Sequence, residues 1–189
     1  MTKGRMEAFS DGVMAIIITV MVLEMKVPHG DTIEALKPLL PSFISYVLSF
    51  VYIGIYWNNH HHMLHAAHKI NGSVLWANIH LLFWLSLVPF VTDWMGENSF
   101  TTIPVALYGV ILLMAGVAYY LLAHRLTSLH GKDSEFTQAL GTDRKGKVSI
   151  IIYIVGIVLC FLNPLFSLFL YFLVAVMWFI PDKRFERNE

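Results

Sequence analysis

Arg5, Ser10 and Asp11 stand at the start of a long apolar run, and they are the first residues in this chain able to do chemistry. Ionisable groups at membrane depth are costly, so where they occur they tend to face a bundle interior or water and to be functional. At 100° per residue on a helix, Ile16, Thr19, Val20 and Leu23 fall within about 60° of one direction, and Asp11 lies about 140° from Ile16. Gly12 and Phe9 continue the stripe toward the start of the run. This segment therefore carries an apolar stripe with a single hydroxyl on one side and directs its charge toward other helices. By spacing alone the stripe reads as lipid-facing or helix-packing surface, and Arg5 with Asp11 as an interfacial pair.

A second group is His60, His61, His62, His65 and His68, in a segment that would continue the next apolar helix past the membrane. On such a continuation His61, His65 and His68 share one face at i, i+4, i+7, a spacing that suits zinc or another transition metal. No carboxylate stands beside them, so a solvated or hydrogen-bonded helix end is the main expectation and metal the secondary one; no resident cofactor is expected. Trp57, Asn59, Asn78 and His80 lie near the same level and read as bundle hydrogen-bonding groups. Glu24, Asp93 and Glu97 give the opposite side an acidic character, which favours cations weakly. A nucleophile elbow, a His-Glu-x-x-His pair and a phosphate-cradling glycine loop are all missing, so no enzyme is expected. A Thr-Val-Gly-Tyr-Gly pore loop is missing as well.

These groups need positioning elements, and composition says which kind. Of 189 residues, 57% are hydrophobic and 14% charged, against roughly 45–50% and about 25% in soluble domains. The apolar residues come in blocks near the ~20 residues that span ~30 Å of hydrocarbon. The expected fold is all-α and integral to the membrane, one domain over 1–189 with six helices at about 7–26, 39–66, 73–93, 103–124, 147–162 and 165–181. The stretch 124–147 reads as a loop or short surface helix. As one helix, Val148 to Ile180 would run about 50 Å, too long for one crossing, so Asn163-Pro164 marks a hairpin between two short helices. The lone cysteine, Cys160, excludes an intrachain disulfide framework.

Six crossings put Lys3, Arg5, Lys69, Arg125, Lys132, Arg144, Lys145, Lys147, Lys183, Arg184 and Arg187 on one side, and Lys26 and Lys37 on the other. The positive-inside rule then places both termini in the cytoplasm of a cell membrane, with lipids as partners and no nucleic acid expected.

Arg5-Met6-Glu7-Ala8-Phe9-Ser10-Asp11, running into a helix that ends Leu23-Glu24-Met25-Lys26-Val27-Pro28, resembles the transmembrane protein 175 family through its Arg-x-x-x-Phe-Ser-Asp pattern. Trp57 with His60, and Asn78 with Pro89-Phe90, extend the resemblance. It implies a potassium-permeable cation channel, a homotetramer whose first helices line a central pore at Ile16, Thr19 or Val20, and Leu23, passing monovalent cations. Rings of Ile16 and Leu23 would gate by dewetting, with Thr19 hydroxyls between them and a modest preference for K⁺ over Na⁺. Arg5, Phe9, Ser10, Asp11, Trp57, His60 and Asn78 would form a network fixing helix one, with Arg5 and Asp11 tied through His60. The competing expectation is a secondary transporter or metal exporter using the His60–His68 cluster.

Overall fold

The computed structural model describes residues 2–131, 134–140 and 143–179, and these are helices and short connections throughout, with no strand among them. Helix α1 (Lys3–Leu23) stops ahead of a connection in which Gly30 takes a φ of +127° that side chains rarely adopt. A 3-10 segment, Ile33–Leu39, leads into α2 (Leu40–Ala66), and Pro41 sits in the first turn, where its missing N–H breaks no helical bond.

The helix expected at 73–93 is two helices, α3 (Gly72–Ser86) and α4 (Val88–Glu97). Pro89 is the reason: it has no N–H to offer the Leu85 carbonyl and its ring crowds it. The turn tightens there, with Leu87 N bonded to Trp84 O at 3.3 Å, and helix resumes. Helix α5 (Thr102–His130) runs beyond the expected end at 124. A short α6 (Glu135–Leu140) lies within the polar connection, followed by α7 (Arg144–Cys160) and α8 (Pro164–Phe179). Asn71 and Asp143 cap α3 and α7, accepting from Val74 N at 3.0 Å and Gly146 N at 2.9 Å. The α7–α8 hairpin turns at Asn163, whose Oδ1 accepts from Leu165 N at 2.9 Å, and Pro164 opens α8. Residues 180–181 of the last expected helix lie outside the described residues, as do Lys132, Lys183, Arg184 and Arg187.

Four stretches, Lys3–Leu23, Ile33–Ala66, Gly72–Glu97 and Thr102–His130, are long and apolar enough to cross a membrane. Helices α7 and α8, with 17 and 16 residues, reach only about 25 Å, short of the ~30 Å of hydrocarbon. The packing centres on α5, which touches α3, α4, α7 and α8, while α1 lies against α2, α3 and α4.

Between these helices most buried hydroxyls donate to backbone carbonyls, and three of them bond to one another. Thr92 Oγ1 donates to Val88 O at 2.7 Å, which leaves it to accept from Ser49 Oγ at 2.6 Å. Ser49 Oγ in turn accepts from Tyr108 OH at 3.0 Å, so α2, α4 and α5 are joined in one donor-to-acceptor line. Tyr171 is the exception. It lies against Gly109 and Gly156, where an added Cβ would come within 1.9 Å of its hydroxyl and 2.7 Å of its ring, and that hydroxyl is buried with no hydrogen-bond partner among the described residues.

Candidate functional site

Helix α1 has two faces of opposite character. Met6, Ser10, Met14, Ile17 and Met21 are buried against α2, α3 and α4. These positions step by four, four, three and four residues, the spacing of one helical face. On another face Phe9, Ile16 and Leu23 are 54%, 62% and 78% exposed, Thr19 is exposed and Val20 half-buried. Thr19 Oγ1 donates back to Ala15 O at 3.2 Å and Ile16 O at 3.0 Å, so its lone pairs are what it presents outward.

The buried face is held by a directed chain of hydrogen bonds. Ser10 Oγ donates to Met6 O at 2.8 Å, and Asn78 Nδ2 of α3 donates to Ser10 Oγ at 2.9 Å. With its amide nitrogen so committed, Asn78 offers Oδ1 to His60 Nε2 of α2 at 2.7 Å, so that ring nitrogen carries the proton. Ser10, His60 and Asn78 are all buried. Unsatisfied, such groups would each destabilise the bundle by about 1–3 kcal/mol. Joined, they fix α1 to α2 and α3 in one rotation.

Asp11 belongs to a separate contact at the surface, where its Oδ1 accepts from Trp57 Nε1 at 3.0 Å. Arg5 is exposed, and among the described residues it forms no ion pair with Asp11 or any other carboxylate. The expected Arg5–Asp11 tie through His60 is therefore corrected: the two residues stand about 120° apart on α1, and Ser10, on the buried face, takes the place given to Arg5.

The histidines split. Helix α2 ends at Ala66 and Ala67 is extended, so His68 leaves the face of His61 and His65. The His61 and His65 rings lie 6.2 Å apart, while His68 neighbours His130 at the end of α5. His130 Nε2 accepts from the amides of His68 and Lys69, at 3.0 and 3.2 Å. No group of three His, Cys, Asp or Glu residues among those described is placed to hold a metal ion.

Two further ties of α1 lie beyond what spacing could find. Lys3 Nζ donates to His65 O at 3.2 Å, joining the starts of α1 and the end of α2. At the other end Lys26 pairs with Glu97, the last residue of α4, and that hydrogen bond holds the ammonium above its ordinary pKa. Partners separated by 62 and 71 residues leave no local signal.

Residues 5–89, which hold the whole α1–α2–α3 chain of bonds, match the family described as endosomal/lysosomal potassium channel TMEM175. A potassium channel of Chryseobacterium sp. (strain P1-3) is 52% identical over 188 residues, covering 100% of this chain and 98% of that one. The crystal structure of a lysosomal potassium-selective channel TMEM175 homolog from Chamaesiphon minutus superposes with a TM-score of 0.80 at 28% identity, covering 94% of this chain and 96% of that one. The chicken endosomal/lysosomal proton channel TMEM175 is 33% identical over 109 residues, 51% of this chain and 22% of its own length. These relatives are named as ion channels, not enzymes.

Proposed function

The chain belongs to the TMEM175 family and is a multi-pass membrane protein, and from that premise we propose that it is one subunit of a potassium-permeable cation channel whose pore is lined by α1. The observation that carries this reading is the division of α1 into a face locked by Ser10, Asn78 and His60 and an exposed face of Phe9, Ile16, Thr19 and Leu23. A helix fixed in rotation from behind presents the same residues at the same angle in every copy.

Four copies around a common axis would bring the Ile16 side chains into one ring and the Leu23 side chains into a second, about 10 Å further along. Narrow apolar rings resist water and ions alike, so they serve as the gate. Thr19 lies between them, and because its proton is committed to the backbone of its own helix its oxygen faces the axis. Four such oxygens are a sparse substitute for a hydration shell, which supports a modest preference for K⁺ over Na⁺. In this reading the chain crosses the membrane six times, counting α3 with α4 as one and including the short α7 and α8, with both termini on the cytoplasmic side, where most of the lysine and arginine lies.

Recording from the purified protein in a defined bilayer tests the reading. Unitary currents carried by K⁺ more readily than by Na⁺, abolished or enlarged by substitutions at Ile16 and Leu23, are expected; flux at transporter rates without unitary events would overturn it. Native mass measurement should give four copies, and a monomer or dimer alone would remove the central pore.

A further inference from the structure

We propose that the chamber enclosed by α2, α5, α7 and α8 is a binding site for a small organic ammonium ion, separate from the pore. Its walls include the rings of Tyr56, Tyr119, Tyr120, Tyr153 and Trp178, and its one charged lining group is the carboxylate of Asp143. Aromatic faces carry negative potential and attract cations, most of all when water is excluded.

The Asp143 carboxylate and the aromatic wall set the sign of the ligand, and several of the wall's own donors are already taken. Trp178 Nε1 donates to Ser149 Oγ at 2.8 Å, and Ser149 Oγ donates to Lys145 O at 2.8 Å. Tyr119 OH donates to Asn59 O at 3.2 Å, the Asn59 amide to Ile55 O at 2.8 Å, and Tyr52 OH to Tyr171 O. These five donors are committed within the protein, while the hydroxyls of Tyr56, Tyr120 and Tyr153 also belong to residues of the wall and can accept as well as donate. Asp143 accepts from Gly146 N to cap α7 and pairs with no cation among the described residues, although Arg144, Lys145 and Lys147 follow it directly. The indole of Trp178 already attracts an ammonium, with Lys145 Nζ 5.9 Å from its ring centre.

Size narrows the class. The open space is about 40 Å³, room for roughly three water-sized units. Methylammonium or ethylammonium fits that volume, its N–H groups meeting the lone pairs and its carbon the rings, whereas tetraethylammonium does not. The site abuts the stretch of α2 that holds Trp57 and His60, so an occupant would bear on the helix that braces α1.

The test uses the full-length protein in lipid nanodiscs, labelled with 5-fluorotryptophan, with the Trp178 resonance assigned by its loss in Trp178→Phe. Methylammonium chloride should shift that resonance saturably, and tetraethylammonium and sodium chloride should not. Asp143→Asn keeps an acceptor for Gly146 N but removes the charge, and should weaken binding by about tenfold. Tyr56→Leu, which removes a ring and leaves the cap intact, should weaken it as well. A shift that never saturates, one that tetraethylammonium reproduces, or one unchanged in both variants would overturn the proposal. The readout does not depend on ion flow: loss of binding in a conducting protein refutes this site alone, and binding in a non-conducting protein refutes only the channel reading.

Discussion

The inner and outer faces of α1 differ by about a third of a helical turn and by almost everything else. Inward, three methionines and Ile17 fill space around a single hydroxyl, and that hydroxyl is tied to two other helices. Outward, Ile16 and Leu23 are equally apolar yet stay largely exposed. Hydrophobicity therefore does not distinguish packing surface from pore or lipid surface in a membrane helix. The position of one bonded polar group does, because it sets the rotation and leaves the opposite side as the free face.

Substitutions that exchange the character of the two faces would break the contrast. Ile17→Asn should have the largest effect on stability, about 3–4 kcal/mol, since it loses buried apolar contact and strands an amide in the core; loss of the folded protein in detergent chromatography is the expected result. Asn78→Leu attacks the same face through its bonding rather than its volume. It orphans the His60 Nε2 proton and removes a donor to Ser10, for a loss of about 2 kcal/mol in detergent unfolding. Trp57→Phe should cost about 1 kcal/mol or less, because Asp11 is exposed and water replaces the indole N–H. Ile16→Asn should change stability by less than about 0.5 kcal/mol, yet enlarge the current by hydrating the ring. If Ile16→Asn instead unfolded the protein while Ile17→Asn left it intact and raised the current, the two faces would be assigned the wrong way round. Finally Tyr171→Phe, which removes a hydroxyl with no partner, should leave the unfolding midpoint unchanged or slightly higher, showing that buried polarity alone does not stabilise this bundle.

Hydropathy makes the helical layout legible, because a membrane-spanning block announces itself over many residues. It does not show the interruption at Leu87, where the apolar run continues unbroken through Pro89 and only the missing N–H marks the change. Ser10, His60 and Asn78 can be grouped from the sequence by their common level, but charge draws attention to Arg5, and helical phase is what excludes it. Ser10 shares its face with Met6 and Met14; Arg5 does not. The Tyr108–Ser49–Thr92 line lies beyond sequence reading altogether, since its partners are 43 and 59 residues apart and each residue alone looks like ordinary helix filling.

The bonded line from His60 through Asn78 to Ser10 also has a consequence for proton movement. A proton hops along hydrogen bonds only where each member can accept on one side and release on the other without changing its bonding. Hydroxyls, imidazoles and water do this; a carboxamide does not, because passing a proton from oxygen to nitrogen would need an imidic acid form. Asn78 sits in the middle of the line, and the line ends on the Met6 carbonyl, which has no proton to pass on. The brace behind α1 is thus an insulator: it fixes the helix without offering protons a path along its own bonds.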